Sequence, residues 1–216
     1  MTGIFFTQIA APLIKTTIRG LAMTFEELCG TKDHCEEKVL EYTIQLAVEI
    51  AREGREGRKI GTLFVVSDEE EVLKRSRNLI LDPLYGHPDE VKRICDPNLR
   101  ETIKELAQLD GAFIVGANGV VISAARYINA SIDGIELPLG LGSRHVAAAS
   151  ITRDTQAVAV VVSESSVVRI FNEGRLIAEI IPEIWLFSKE SIKIQGPHKE
   201  TKIADLRIVA VEEESQ

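Results

Sequence analysis

The spacing of apolar residues divides the chain into helical and extended segments. Between residues 36 and 53 the apolar side chains recur at helical intervals among charged ones, which predicts an amphipathic helix. The run IGTLFVVSD, residues 60–68, is rich in β-branched and aromatic residues and predicts a buried strand. The charged segment after Asp68 predicts the start of another helix.

An irregular connection follows, because proline and glycine recur where a regular element would otherwise continue. Pro83, Gly86 and Pro88 mark this connection. Beyond Pro97 a helical pattern resumes, and the helix is predicted to end near Leu109.

The pattern of the second half is mostly extended. Residues 110–128 carry apolar runs on both sides of an Asn-Gly dipeptide, the strongest short signal of a hairpin. Residues 157–164 and 167–180 are again strand-like, with a turn at Asn172-Glu173-Gly174, and residues 203–211 allow one more strand. Five or more strands with helices before and between them predict an α/β fold with a mixed central β-sheet flanked by helices.

The first 25 residues are apolar but do not have the layout of a targeting segment. Lys15 and Arg19 follow the apolar run instead of preceding it, and Pro12 interrupts any membrane-length stretch. Apolar residues recur here at near-helical spacing, so a helical extension is predicted. We expect no signal peptide, no transmembrane helix and no membrane partner, and a cytoplasmic location.

Composition narrows the classes of function. A net charge of -8, from 25 basic and 33 acidic residues, argues against a broad nucleic-acid-binding face, so no nucleic-acid partner is expected. The three cysteines fit reduced thiols better than a disulfide framework. Cys29, His34 and Cys35 are close enough to suggest a metal, but no second ligand pair with zinc-like spacing follows, and inert thiols are the favoured interpretation.

The stretch LGLGSRHVAAAS, residues 139–150, is the first candidate for chemistry. Two glycines followed by small residues predict a loop that leads into a helix, and such a helix start binds anions through its free backbone N–H groups. Ser143 could cap the helix, while Arg144 and His145 could donate to phosphate oxygens. A plain capped helix with an arginine and a histidine on its surface is equally compatible. The spacing is neither that of a P-loop nor that of a Rossmann fingerprint.

Two further constellations carry carboxylates. Asp110-Gly111-Ala112 stands at the mouth of a strand, where the carboxylate could ligate a metal or accept a proton and the glycine allows close approach. An ordinary Asp-Gly turn is the alternative. Ser163-Glu164 follows a very apolar strand, at a position where open α/β sheets often bind ligands, and here too a turn is the alternative.

Taken together, the order and spacing of these motifs resemble the diadenylate cyclase family. DGAFIV, then about thirty residues later GSRH at a helix start, then TQAVAVVVSE, match the marks of that family over roughly residues 45–190. The resemblance implies a diadenylate cyclase domain at residues 36–190. It leaves an N-terminal helical extension, residues 1–35, and a C-terminal strand with an acidic tail, residues 191–216, unassigned.

The resemblance implies condensation of two ATP molecules into cyclic di-AMP with release of two pyrophosphates. A divalent metal, Mg²⁺ or Mn²⁺, would be held by Asp110 and Glu164, and two subunits would pair their active sites across a homodimer or within a higher homo-oligomer. Asp110, Arg144 and His145 would be catalytic. ATP would be bound by Gly111, Ala112, Tyr127, Leu141, Gly142, Ser143, Arg144, His145 and Ser163.

The chain departs from the family pattern at two positions, and other functions compete. Val146 stands where many members have an arginine, and Leu109 stands where some have a histidine. Tyr127 could stack on adenine or be a half-buried strand residue. The competing functions are a regulatory module that binds ATP or cyclic di-AMP without cyclising it, and a nucleotide hydrolase that uses Asp110 and the metal to activate water.

Overall fold

A computed structural model describes residues 36–131, 133–182, 198–203 and 206–211. The predicted N-terminal extension, the Cys29, His34 and Cys35 group, and the acidic tail lie outside the described residues. The α-helices in the described part are α1 (Glu37–Glu53), α2 (Glu69–Lys74), α3 (Pro97–Leu106) and α4 (Ser143–Asp154), with a short 3-10 turn at Asp89–Val91. The strands are β1 (Thr62–Val66), β2 (Ser76–Asn78), β3 (Ala112–Val115), β4 (Val121–Ile128), β5 (Val158–Val162), β6 (Val168–Asn172), β7 (Arg175–Pro182), β8 (His198–Ile203) and β9 (Leu206–Val211).

The strands form one mixed sheet in the order β2-β4-β3-β1-β5-β6-β7-β9-β8. Strands β1 and β3 are parallel, and the other neighbouring pairs are antiparallel. The predicted hairpins β3–β4 and β6–β7 are both present. The predicted fold class, α/β with a mixed sheet flanked by helices, is confirmed.

Helices cover both faces of the sheet, and β1 shows why. Phe64 and Val66 belong to a core cluster with residues of α1 and α3, whereas Leu63 and Val65 belong to a second cluster with residues of α4. Successive strand side chains point to opposite faces, so a strand that is apolar at every position must be covered on both sides. The continuous apolar run of residues 63–66 therefore fits burial between two helical layers.

Helix α3 is attached to α1 by charge as well as by apolar packing. The ammonium of Lys104, whose side chain is only 4% exposed, lies 3.2 Å from Glu49, 3.1 Å from Glu53 and 3.0 Å from Glu101. A buried cation needs this compensation because its desolvation would otherwise be costly. These contacts fix the helix that delivers the chain to Asp110.

Three details differ from the sequence prediction. The third helix ends at Leu106 instead of near Leu109, so Asp110 is in a connecting loop. The short strand β2 was not predicted, because its sequence Ser-Arg-Asn has no apolar alternation and its pairing depends on β4. Strand β8 was also not predicted; it pairs with β9. In the described part of the chain, every helix is too short or too polar to cross a bilayer.

Candidate active site

Most of the candidate residues meet at an open cavity of about 780 Å³, which lies at one end of the central strands of the sheet. Because β1 runs parallel to β3 and antiparallel to β5, the starts of β1 and β3 and the end of β5 lie side by side at this end of the sheet. The start of α4 closes the cavity on one side. Its lining residues are Leu63, Leu79, Asp110, Gly111, Ala112, Arg126, Tyr127, Ile128, Ala130, Ser143, Arg144, Val146, Ala147 and Glu164.

One arginine joins the two predicted metal carboxylates. Nη2 of Arg144 donates to Oδ1 of Asp110 at 3.1 Å, and Nη1 donates to Oε1 of Glu164 at 3.2 Å. The carboxylates are 88% and 70% exposed at the side chain, whereas Arg144 is 31% exposed. Exposed ion pairs of this kind are weak, so a phosphate or a cation can displace either partner at little cost.

Gly111 is required by close backbone packing behind Asp110. It has φ of +108°, and a Cβ at this position would lie 2.7 Å from the carbonyl carbon of Ala125. Ala125 itself has a positive φ of +51°, where the register between β3 and β4 shifts. The glycine therefore lets β4 bulge towards the cavity and fixes the direction in which the loop presents Asp110.

Tyr127 lies at the cavity wall on β4, with 46% of its surface exposed. The guanidinium of Arg77, on the neighbouring strand β2, is 4.6 Å from the centre of its ring. This cation–π contact holds the phenol ring in place. An exposed, oriented aromatic ring in a cavity wall is suited to stacking on a planar base.

The start of α4 differs from the predicted cap. Gly142 is the residue before the helix, with extended backbone angles and no side chain to cap it, and Ser143 is the first helical residue. The prediction that Ser143 caps the helix is therefore wrong. A glycine here leaves space, since nothing lies within 4 Å of a Cβ built on Gly142. The N–H of His145 donates to the Gly142 carbonyl, so the N–H groups of Ser143 and Arg144 are the ones available to an anion at this helix start.

A smaller cavity of about 230 Å³ adjoins the first one, behind the loop of residues 139–142 that precedes α4. Ser143, Arg144 and Glu164 line both cavities, so the two lie side by side at the start of α4. The remaining lining residues of the smaller cavity are Gly140, Gly142, His145, Val161, Val162, Ser163, Ser165 and Arg169. Ser163 lies within hydrogen-bond distance of Ser165, with 2.8 Å between the two hydroxyl oxygens.

His145 lies behind the loop, with 6% of its surface exposed. Burial, together with the positive charges of Arg169 and Arg144, lowers its pKa from 6.5 to about 4, although a hydrogen bond with the backbone of Gly142 favours the protonated ring. The imidazole is therefore neutral at physiological pH. Its Nε2 is 3.3 Å from Nη1 of Arg169.

The structure brings most of the predicted site residues together. Asp110, Gly111, Ala112, Tyr127, Ser143, Arg144 and Glu164 line the larger cavity, and Gly142, His145 and Ser163 line the smaller one. Leu141 lines neither cavity and packs against the core cluster beneath α4.

The carboxylates of Asp110 and Glu164 suit a hard divalent cation. Mg²⁺ is commonly held by one or two carboxylates together with substrate phosphates and water, and these two side chains share one partner at the cavity mouth. Within the described residues no group of three or more His, Cys, Asp or Glu side chains could hold a metal by itself. The donor set fits a metal that arrives with a polyphosphate.

Sequence reasoning also missed residues that support the site from behind. Gly61 lies beneath Arg144, and Arg169 and Glu179 lie behind His145. The signal for the last two was available: each is the one charged residue in an apolar run, Arg169 in residues 167–171 and Glu179 in residues 176–181. An inward-facing charge in such a strand requires a buried partner.

Comparison with known proteins identifies close relatives. The DAC family model, described as DisA bacterial checkpoint controller nucleotide-binding, matches residues 49–176. A diadenylate cyclase from Methanocaldococcus jannaschii is 45% identical over 161 residues, covering 74% of this chain and 51% of the relative. A diadenylate cyclase from Haloferax volcanii is 40% identical over 150 residues, covering 68% of this chain and 54% of the relative. The chain thus spans about half the length of the curated relatives it matches.

Two solved structures match this chain at lower sequence identity. A hypothetical membrane spanning protein from Bacillus cereus is 22% identical with a TM-score of 0.49, covering 64% of this chain and 62% of that chain. DacA from Staphylococcus aureus, crystallised as a double mutant, is 25% identical with a TM-score of 0.42, covering 65% of this chain and 85% of that chain.

Proposed function

The chain belongs to the DAC family, which confirms the resemblance drawn from its motifs, and on that premise we propose that it is a diadenylate cyclase. It would condense two ATP molecules into cyclic di-AMP and two pyrophosphates. The observation that carries this proposal is the contact of Arg144 with both Asp110 and Glu164 at the mouth of the larger cavity. Nucleotidyl transfer requires a positively charged side chain that binds phosphate and carboxylates that bind a metal ion, all close to one another.

The reaction has two equivalent steps. In each, the ribose 3′-oxygen of one ATP attacks the α-phosphorus of the other, the bond from that phosphorus to the bridging oxygen breaks, and pyrophosphate leaves. The hydroxyl proton is lost as the new ester forms. Negative charge develops on the leaving pyrophosphate, and the protein accelerates the step by positioning the groups and stabilising that charge.

Asp110 is proposed to lie beside the 3′-hydroxyl. Its carboxylate is 88% exposed towards the cavity and is held by the loop that Gly111 shapes. From there it can orient the hydroxyl, favour loss of its proton and contribute a ligand to a cation. Glu164, at the end of β5, faces the same arginine from the other side.

Arg144 and the first turn of α4 are proposed to hold the triphosphate. A guanidinium offers several donors in a fixed plane, and the helix start adds the N–H groups near Gly142 and Ser143. Once phosphate takes over Arg144, both carboxylates are released for the metal. The chain therefore exchanges an internal ion-pair cluster for one made with substrate.

A divalent cation, Mg²⁺ or Mn²⁺, would be held by Asp110 and Glu164 together with phosphate oxygens. When bound, it would neutralise charge on the phosphates and make the attacking oxygen more acidic. The remaining contributions come from the protein: Tyr127 offers its exposed ring to the adenine, and Gly111 and Ala112 line the wall between ring and carboxylate.

Two subunits are proposed to act together. The chain shows one large cavity of this composition in its described part, and an ATP in it needs a second ATP with opposite orientation. A two-fold axis that brings two such cavities face to face provides this arrangement with a single kind of interface. The active unit is then a homodimer, or a larger assembly that contains the same pair.

Product identification tests the function directly. Purified protein is incubated with ATP alone, with Mg²⁺ and with Mn²⁺, and the nucleotides are identified by mass spectrometry. Cyclic di-AMP together with two equivalents of pyrophosphate, formed only with metal, is the expected result. Unchanged but bound ATP would indicate a regulatory binding module instead, and free AMP or ADP would indicate a hydrolase.

A further inference from the structure

Two buried charged residues face each other on neighbouring strands, behind the loop of residues 139–142 that precedes α4. Arg169 on β6 and Glu179 on β7 are paired in register, and they are 3% and 0% exposed. Nε of Arg169 donates to Oε1 of Glu179 at 2.5 Å. A charge pair buried so completely does little for net stability, because desolvation offsets its attraction, so its position calls for another explanation.

The pair reaches the candidate site through His145. A second guanidinium nitrogen of Arg169, Nη1, lies 3.3 Å from Nε2 of the imidazole. A guanidinium can only donate, so Nε2 must be the acceptor, and the ring proton of neutral His145 is then on Nδ1. The contact with Arg169 thus determines the tautomer.

His145 is in turn part of the first helical turn of α4. It follows Ser143 and Arg144 directly, and its backbone N–H donates to the carbonyl of Gly142 at 3.0 Å. Gly142 has no side chain with which to anchor the helix start. The buried ring, packed 6.0 Å from the ring of Phe171, provides that anchor.

We propose that Glu179 and Arg169 are positioning residues that fix the His145 ring, and with it the place of Ser143 and Arg144 in the site. The proposal rests on the function given above, since Ser143 and Arg144 are taken as triphosphate-binding groups. His145 then acts as a neutral brace between the sheet and the loop. Glu179 orients Arg169, and Arg169 orients His145. The ring of His145 in turn fixes the position of the first turn of α4.

Direct phosphate binding by Arg169 is the competing role, because this residue lines the smaller cavity. The geometry favours positioning. Its side chain is 4% exposed, two of its nitrogens already have partners, and the carboxylate of Glu179 offsets its charge. A phosphate in the smaller cavity would have to compete with that carboxylate at short range.

The test replaces the charge pair while keeping the packing. The double variant Arg169→Met, Glu179→Leu removes both charges, a change that buried pairs often tolerate, so its melting temperature should remain within about 5 °C of the parent. Long-range proton–nitrogen correlation spectra of protein with labelled histidine report the tautomer of His145, and His145→Asn assigns its signal among the four histidines. Kinetics of cyclic di-AMP formation and ATP affinity complete the measurement.

The parent is expected to show the Nδ1-protonated ring at pH 7, and the double variant a mixture of tautomers. We expect kcat to fall on the order of tenfold to a hundredfold, because a displaced Arg144 meets the transition state poorly. Lys104→Met is the control for the His145 signal: it removes an equally buried cation on α3, which packs in the core cluster on the other face of the sheet, and should leave that signal unchanged. If the double variant does not fold, Arg169→Lys, which keeps the charge beside Glu179, is expected to show the same changes in part.

Two results would overturn the proposal that Glu179 and Arg169 position His145. One is a parent ring protonated on Nε2 or on both nitrogens. The other is a double variant with an altered ring but normal kcat. Weakened ATP binding with unchanged His145 signals in Arg169→Lys would assign Arg169 to the phosphate itself. If the parent makes no cyclic di-AMP, the proposed function fails. The tautomer of His145 and the ATP affinity still test whether Glu179 and Arg169 position His145.

Discussion

Nη1 of Arg144 lies so close to Gly61 that a Cβ on the glycine would be 2.8 Å from it. Gly61 immediately precedes β1, between the strands that deliver Asp110 and Glu164. Because Gly61 has no side chain, the guanidinium of Arg144 can pack against the backbone at the start of β1. This packing links an inconspicuous glycine to the proposed chemistry.

Gly61→Ala is therefore expected to displace Arg144 without unfolding the protein. The atom that must move is the end of a flexible side chain, and Gly61 does not have a positive φ, so the stability change should stay below about 1 kcal/mol. The KM for ATP should rise severalfold. Urea unfolding and steady-state kinetics check the two expectations; a large stability loss with a normal KM would contradict them.

Asp110→Asn separates binding from turnover. The amide keeps the volume and still accepts a hydrogen bond, but it has no charge for a cation and is a poor proton acceptor. ATP affinity should change by less than about threefold, while cyclic di-AMP formation falls by a factor of at least about 100. Calorimetric titration with ATP and a single-turnover assay measure the two effects.

Glu164→Gln is the comparison for this variant, since Glu164 contacts the same arginine from the opposite side. We expect a smaller loss of turnover that higher metal concentrations partly restore. Normal product formation by Asp110→Asn would remove Asp110 from the mechanism.

Local patterns were sufficient for much of the fold, because they depend on neighbouring residues. The amphipathic face of α1 and the Asn118-Gly119 turn were both predictable, and the turn is fixed by a hydrogen bond of 2.9 Å from the Val120 N–H to the Asn118 side chain. Strand β2 was not predictable, since its polar residues become a strand only when Arg126 on β4 bonds to them. Its existence depends on tertiary contacts.

The Arg169–Glu179 pair shows a subtler limit. Counting outward from the predicted turn would place Arg169 opposite Ala178. A register shift beyond Phe171 moves its partner to Glu179. A bulge of one residue depends on packing and leaves no mark in the alternation of strand residues. The motifs of the site could therefore be predicted, but not the support behind them.

His145 gives the protein a predictable acid sensitivity. Its pKa in the folded chain is about 4, below the ordinary 6.5, so as pH falls below 6.5 the unfolded chain takes up a proton first. The stability present above pH 6.5 is lost progressively towards pH 4, by at most about 3 kcal/mol from this residue. Urea unfolding of the parent and of His145→Gln at pH 7.5 and 4.5 should show a smaller loss in the variant.

The exposed His87 provides the control for this experiment. His87→Gln should lose as much stability on acidification as the parent. An equal loss in all three proteins would mean that other groups cause the acid sensitivity.

Gly111→Ala tests whether backbone contact behind Asp110 shapes the site. The alanine would have to adopt φ near +108° and place its Cβ 2.7 Å from the backbone of Ala125 and Arg126, atoms that cannot move without shifting β4. Gly57→Ala separates the two causes, because Gly57 also has a positive φ, +74°, but open space around it. We expect Gly57→Ala to cost about 1 kcal/mol and to leave kcat unchanged. For Gly111→Ala we expect at least about 3 kcal/mol and loss of turnover, since strain and overlap add. Equal costs in the two variants would show that β4 yields to the new methyl group, and that strain at the glycine alone determines the effect.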